Sequence, residues 1–136
     1  INTCKGEGWG LVNFEHAACR VAQVVPGHTS CKEIFEGYGR LIRCDHIDTD
    51  TNYGREMPCP STDHLVEILN DLYENRDKLD ATAELCYTRA LEEQFTWEKI
   101  GAQFSGIFED TIKGVDHSVK KVTSKKTRKK RKIGNV

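Results

Sequence analysis

The chain has 136 residues, of which 38% are hydrophobic and 30% charged, and its formal net charge at pH 7 is −1. This length and composition are typical of one soluble globular domain. No stretch of the sequence comes near the roughly 18 consecutive apolar residues that a membrane-spanning helix needs. The sequence also lacks the basic start and following apolar run that would indicate a secretory signal peptide. We therefore expect a cytoplasmic protein, with peripheral contact to a membrane left open.

The near-neutral net charge conceals two regions of opposite sign. Residues 1–112 hold 10 Lys/Arg against 20 Asp/Glu, a net charge of −10. Residues 113–136 hold 10 Lys/Arg against one acid, Asp116, a net charge of +9. The sequence therefore predicts an acidic folded body over residues 1–112 and a basic tail over residues 113–136.

Six cysteines are spread along the chain, at Cys4, Cys19, Cys31, Cys44, Cys59 and Cys86. None belongs to a Cys-x-x-Cys pair and no histidine lies at zinc-finger spacing from two of them, so the sequence predicts no metal site. Three disulfides are one interpretation of the even count, but a chain with a full-sized core has little need of them. Reduced thiols in a cytosolic protein are the favoured interpretation.

The first 44 residues alternate short apolar runs with helical periodicity, which is typical of an α/β fold. The first strand is predicted to end within residues 1–4, and three glycines in five residues predict a tight loop over residues 5–10. The elements predicted after this loop are a helix over residues 11–20, a strand over 21–25 before a turn, a short helix from Thr29 or Ser30 to Phe35, and a strand over 40–44.

The rest of the body is predicted to be helical after one loop. Residues 45–60 are polar, lack a clear period and end on Pro58 and Pro60, so a loop is expected there. Ser61 and Thr96 are favourable N-caps for the helices that follow them. Helical periodicity directs three sets of apolar residues to the core: Leu65, Ile68, Leu69, Leu72 and Tyr73; Leu79, Ala83, Cys86 and Ala90; and Trp97, Ile100, Phe104, Ile107 and Phe108.

The glycine loop before the first helix has the chemistry of an anion site. A helix N-terminus carries unpaired N–H groups and about half a positive charge, and glycines at positions 6, 8 and 10 leave the approach of a diphosphate clear. Glu15, one turn into the helix, is placed to accept hydrogen bonds from both hydroxyls of a ribose. Glu7, in the loop, is placed near a sugar beyond the diphosphate. A purely structural turn, with Glu15 as a partner of the helix dipole, is the alternative.

The segment EGWGLVNFE, from Glu7 to Glu15, closely resembles the Glu-x7-Glu motif of the family 4 retaining glycosyltransferases. Two further stretches, VAQVVPGHTSCKEIFEGYGRLI and FTWE, are similar to that family's later strand, turn and helix landmarks. The family has the GT-B architecture of two Rossmann-like domains. The resemblance implies an α/β fold in which residues 1–112 form the C-terminal part of a Rossmann-like GT-B donor-binding domain, with strand-loop-helix repeats followed by several helices. The basic tail over residues 113–136 lies outside the resemblance and is predicted from its composition to be disordered.

The resemblance also implies a function for this segment, the transfer of a sugar from a UDP- or GDP-linked donor with retention of configuration. The implied site residues are Glu7 in a catalytic positioning or electrostatic role, and Gly8, Gly10, Leu11, Val12 and Glu15 in donor binding. No cofactor and no metal is implied. The acceptor (a sugar, a lipid or a protein glycan) would bind to an N-terminal GT-B domain expected before Ile1. We therefore expect the polypeptide alone to be inactive in transfer.

Four positions near the motif depart from the family pattern or leave their role open. His16 and Cys19 stand where small residues and a glycine are usual, and His28 follows Gly27 where a second glycine is common. A polar surface role for His28 is favoured over contact with substrate. Glu33 matches a recurrent family position, but a carboxylate on the helix surface is nearly as good an interpretation.

The basic tail and two other function classes remain as alternatives. The run KKVTSKKTRKKRK, from Lys120 to Lys132, is predicted to be disordered and suits nucleic acid, an anionic membrane or simple solubilisation. A non-catalytic α/β nucleotide-binding or interaction module is the main alternative function. A dinucleotide oxidoreductase is weaker, because its fingerprint needs Gly-x-Gly-x-x-Gly and this loop has Gly-x-Gly-x-Gly.

Overall fold

The computed structural model describes residues 1–51 and 53–114 and has a mixed α/β fold. Residues 1–100 form one compact unit, and a second unit begins at Gly101. The described elements are α1 (Leu11–Ala18), β1 (Val24–Pro26), α2 (Thr29–Phe35), β2 (Arg40–Ile42), β3 (Cys44–Asp50), β4 (Arg55–Pro60), α3 (Thr62–Glu74), α4 (Arg76–Ala90), a 3₁₀ turn (Glu93–Phe95) and α5 (Trp97–Ile112). The described helices α3, α4 and α5 follow the last described strand, as the sequence predicts, but the first described element is the helix α1 and not a strand.

A parallel β–α–β unit forms the centre of residues 1–100. Strands β1 and β2 pair in parallel with Val25 opposite Leu41, and α2 connects them. The turn after β1 needs a glycine, because a Cβ at Gly27 would lie 3.0 Å from the carbonyl oxygen of Ile42. The Gly27 N–H donates to that same oxygen at 2.8 Å. The close backbone approach thus extends the pairing of the two strands by one hydrogen bond.

Hydrophobic clusters lie on both faces of this small sheet. Successive side chains of a strand point to opposite faces, so Val24 and Val25 belong to different clusters. One cluster consists of Ala17, Val25, Cys31, Ile34, Phe35 and Cys86, from α1, β1, α2 and α4. The other consists of Val24, Ile42, Ile68 and Leu72, from β1, β2 and α3. The sheet is therefore covered by helices on both sides.

The predicted loop over residues 45–60 is wrong, because these residues form the antiparallel hairpin β3–β4. The strands pair from Cys44 opposite Pro60 to Asp50 opposite Arg55, with an irregularity between Cys44 and His46. Six of the twelve side chains whose burial is described are exposed and only Cys59 is buried, so no regular alternation of apolar and polar residues indicates the strands. Prolines do not prevent the pairing, since in a two-stranded sheet every strand is an edge strand.

The other strands are shorter than predicted. Residues 1–4, expected to end a strand, have irregular backbone, although the Asn2 N–H donates to the Val24 carbonyl at 3.0 Å. The strand expected over residues 21–25 begins only at Val24 and includes Pro26. The strand expected over residues 40–44 ends at Ile42.

The predicted helices and their caps are confirmed for the described residues. The Ser61 hydroxyl accepts from the His64 N–H at 3.4 Å, and the Thr96 hydroxyl accepts from the Lys99 N–H at 3.3 Å. In α3, Ile68 and Leu72 are buried, whereas Leu69 and Tyr73, predicted to face the core, are exposed. The buried face of α3 is thus narrower than its periodicity indicates.

The core-facing role predicted for the apolar residues of α5 is wrong. No residue of α5 is buried in the described structure, and Trp97 is 84% exposed. The large side chains exposed with it are Phe104, Ile107 and Phe108. Periodicity shows which residues share a helix face, but it does not show that another element covers that face.

Two further sequence predictions concern membrane-spanning helices and the basic tail. Among the described residues, no helix combines the length and the apolar character that crossing a membrane would require. The predicted disordered tail, including Lys120 to Lys132, lies outside the described residues apart from Lys113 and Gly114.

Candidate functional site

The first helix begins directly after a glycine whose conformation no other residue adopts as easily. Gly10 precedes α1 with φ 80° and ψ 50°, in the left-handed region. A Cβ at this buried position would lie 3.4 Å from Cγ of Glu7 and 3.9 Å from Sγ of Cys31. Gly8 differs, because no described atom lies within 4 Å of the Cβ position built on it. Gly10 is therefore required by the loop itself, whereas Gly8 leaves space open beside it.

Side chains at the start of α2 hold the glycine loop in place. The Ser30 hydroxyl donates to the Glu7 carbonyl at 3.0 Å, and Nε2 of His28 donates to the Cys4 carbonyl at 3.1 Å. The Cys4 N–H in turn donates to Oδ1 of Asn2 at 2.8 Å. Since His28 is only 9% exposed, its predicted surface role is wrong, and the structure gives it a positioning role for the loop.

A chain of buried amides fixes the first turn of α1 against the strand. Nδ2 of Asn2 donates to Oδ1 of Asn13 at 2.8 Å, and Nδ2 of Asn13 donates to Oε1 of Gln23 at 2.9 Å. Gln23 then donates to the Val21 carbonyl at 2.8 Å. Asn13 is thereby used inside the protein, and among the described residues no side chain caps α1. The first-turn N–H groups are left for solvent or a ligand.

Most of the predicted donor-site residues line one pocket in front of this helix end. The pocket has a volume of about 470 Å³, which is in the range of small-molecule sites. The predicted residues in its lining are Glu7, Gly8, Gly10, Leu11 and Val12. Glu7 is half-buried there, and the exposed His16 completes the lining on α1.

Glu15, the remaining predicted residue, lies in a neighbouring depression of about 400 Å³. This depression is lined mainly by apolar side chains from the Trp9 to Glu15 segment and from Phe95 to Ile100. Trp9 and Leu11 line both spaces. The two glutamates therefore flank one continuous strip of α1 and its loop instead of converging on one cavity.

An aromatic cluster supports the strip between the two glutamates. The ring of Trp9 makes edge contacts with Phe14 and Phe95 at centroid distances of 5.7 and 5.5 Å, and Phe14 contacts Phe95 at 5.0 Å. The guanidinium of Arg89 lies over the Phe95 ring at 4.8 Å. Sequence reasoning missed Trp9 as a site residue, although its place inside the motif was the available signal.

The cysteines near the pocket are free thiols, as predicted, along with the other cysteines of the chain. Burial, followed by the neighbouring Cys4, raises the pKa of Cys31 to about 12. Burial also raises the pKa of Cys86. Because the thiolate is the reactive form of cysteine, these two buried side chains act as small hydrophobic groups at neutral pH.

Two further positions near the motif, Cys19 and Glu33, are exposed. Cys19 is exposed at the C-terminal end of α1. Glu33 is exposed on α2, and its carbonyl accepts from Nη2 of Arg89 at 3.5 Å. Neither of them lies in the lining of the two depressions beside α1.

Comparison with known proteins leaves the function to be inferred from this geometry. No protein-family model, no curated protein and no solved structure matches the chain. The residues of the motif and the pocket in front of α1 are therefore the observations on which a function can be built.

Proposed function

We propose that this chain supplies the donor-binding half-site of a retaining glycosyltransferase of family 4 with GT-B architecture. The observation that carries the proposal is the uncapped start of α1 behind Gly10, which faces a pocket lined by Glu7, Leu11 and Val12. In this function the donor is a UDP- or GDP-linked sugar. Its sugar passes to an acceptor with retention of anomeric configuration, without a metal or another cofactor.

The diphosphate binds in front of the first turn of α1. The N–H groups of Leu11, Val12 and Asn13 point out of the helix end, where the helix dipole favours an anion. No described side chain caps this end, and Gly8 has open space beside it. The phosphate oxygens can therefore approach the backbone directly.

The two glutamates take the two ends of the donor. Glu15 is exposed one turn into α1 and faces the depression beside Trp9, where it binds the ribose hydroxyls. Glu7 is half-buried in the other pocket and lies beside the transferred sugar. A carboxylate near the anomeric carbon stabilises the positive charge that develops there, so we give Glu7 an electrostatic or positioning role.

The position of the glycine loop beside the carboxyl end of β1 supports the proposed donor site. His28 and Ser30 follow the carboxyl end of β1, and both hold the loop that carries Glu7. Ligands of open α/β sheets bind outside the carboxyl ends of the strands. The parallel pairing of β1 and β2 with a helix between them is the repeat from which Rossmann-like domains are built.

Sugar transfer also requires a binding site for the acceptor on the other side of the cleft, which an acceptor-binding GT-B domain would provide. We therefore propose donor binding for this chain and transfer activity for the two-domain enzyme, in the cytoplasm. The basic tail would add contact with an anionic membrane or with nucleic acid.

Calorimetric titration with UDP, GDP and ADP tests the proposal. We expect saturable binding of UDP or GDP, accompanied by a rise in melting temperature, because a ligand that binds only the folded state stabilises it by about 2.7 kcal/mol at 100 times its Kd. Absence of a response to all three nucleotides would favour the alternative, a non-catalytic α/β interaction module.

A further inference from the structure

The β3–β4 hairpin brings together three side chains of different ligand chemistry. A ring nitrogen of His46, a carboxylate oxygen of Asp48 and Sγ of Cys59 all lie within 4.8 Å of one another. They are separate from the residues that line the pocket in front of α1. The spacing of the cysteines in the sequence predicts no metal site. The hairpin, however, brings Cys59 close in space to His46 and Asp48, from which it is more than ten residues away in sequence.

Strand geometry places these three side chains on one face. His46 and Asp48 are two residues apart on β3, so they point to the same side of the sheet. Cys59 is the direct cross-strand partner of His46, and directly opposed residues share a face. The backbone of the hairpin therefore brings the three groups together before any ligand binds.

The donor set and its spacing suit a zinc ion. Imidazole, carboxylate and thiolate are all ligands of Zn²⁺, with bonds of about 2.0–2.3 Å, so tetrahedral ligand atoms stand roughly 3.3–3.8 Å apart. Nε2 of His46 and Oδ1 of Asp48 are already 3.7 Å apart. The exposed fractions of these two side chains, 64% and 43%, leave them free to close on a metal, whereas Cys59 is buried at 5%.

The positively charged side chain of Lys5 already contacts this cluster. The ammonium of Lys5 forms an ion pair with Asp48, which lowers the pKa of Asp48 and raises that of Lys5. Lys5 also interacts with Cys59. A depression of about 340 Å³ lies over these residues and leaves room for a water molecule as a fourth ligand.

We propose that the hairpin binds Zn²⁺ through His46, Asp48 and Cys59, with Lys5 displaced from Asp48 when the ion enters. On binding, the Cys59 thiol forms a sulfur–zinc bond and releases its proton to the solvent, and His46 binds as the neutral imidazole. The open fourth position would hold water, as in zinc sites that are not purely structural. This inference does not depend on the nucleotide site.

Titration of the reduced full chain with Co²⁺, followed by displacement with Zn²⁺, tests the proposal. We expect one Co²⁺ per chain, with visible bands of tetrahedral cobalt and a near-ultraviolet sulfur-to-cobalt charge-transfer band that Zn²⁺ abolishes. Cys59→Ser should remove the charge-transfer band. His46→Ala, a change at an exposed side chain, should weaken binding at least about tenfold, and Lys5→Gln should tighten it several-fold by removing the competing charge.

Cys19→Ser is the matched control, since Cys19 is exposed and lies at the C-terminal end of α1, outside the hairpin. It should leave the spectrum and the affinity unchanged. Absence of the charge-transfer band in the wild-type chain would overturn the proposal, as would a band that survives in Cys59→Ser or an affinity that His46→Ala leaves unchanged. Nucleotide titrations of the same variants keep the two sites distinguishable.

Discussion

Replacement of Gly10 by valine is expected to abolish nucleotide binding and to lower the free energy of unfolding by about 1–3 kcal/mol. Gly10 has φ 80°, a conformation that is an outlier for a β-branched residue. The new Cβ would also lie 3.4 Å from Cγ of Glu7 and near Cys31. Relief of the backbone strain at the positive φ moves the loop, so both Glu7 and the N–H groups of the first turn leave their places.

Gly8→Ala is the matched control for Gly10→Val. It places a methyl group in open space on a glycine without positive φ, so we expect an unchanged free energy of unfolding. Urea denaturation and calorimetry with UDP and GDP measure the two effects. Full nucleotide affinity in Gly10→Val would contradict the role given to this turn.

Glu15→Ala is expected to weaken nucleotide binding by about 10-fold to 100-fold while leaving the fold intact. The expected loss corresponds to about 1.4–2.8 kcal/mol, which is the contribution of one hydrogen bond to a charged group. Because water screens the exposed carboxylate, its two proposed bonds to the ribose are together expected to contribute this amount. The side chain of Glu15 is exposed, so its loss removes little packing. Calorimetry gives the affinity, and thermal denaturation checks the fold.

A comparable substitution separates this effect from a general loss of negative charge. Glu67 is also an exposed glutamate on a helix, α3, outside both depressions beside α1. Glu67→Ala should bind nucleotide like the wild type. Equal affinities of Glu15→Ala and Glu67→Ala would remove Glu15 from the site.

The sequence was most informative where local chemistry decides the structure. The glycine loop, the start of α1 after Gly10 and the cap at Ser61 depend on residues within a few positions of one another. Helical periodicity likewise located α3 and α4, whose core residues Ile68, Leu72 and Cys86 are buried. These features could be predicted because each needs only local information.

Features that depend on distant residues could not be predicted in the same way. The β3–β4 hairpin is held by cross-strand pairing, and only Cys59 among its described side chains is buried, so it lacks the alternation that reveals a half-buried strand. Because the sequence predicts a loop over these residues, it gives no indication that His46, Asp48 and Cys59 lie close together in space. The exposed apolar residues of α5 show the opposite error, because their periodicity predicts a burial that the described structure does not show.

The motif predicts which residues belong to the candidate donor site, but not how these residues are arranged in space. Its spacing points to Glu7, Gly10 and Glu15, but it could not show that these residues line two depressions, both of which Trp9 and Leu11 also line. It also could not show that His28 is buried and bonded to the loop, since that contact joins positions 24 residues apart.

Backbone amide shifts of the isotope-labelled chain, recorded during titration with UDP and with GDP, test the central proposal most directly. The donor-site proposal predicts that saturation by one of these nucleotides shifts the amides of Gly8, Gly10, Leu11 and Val12 most, with Glu15 close behind. Saturable shifts confined to residues outside 6–15, such as the hairpin over residues 44–60, or no shifts with either nucleotide, would contradict it.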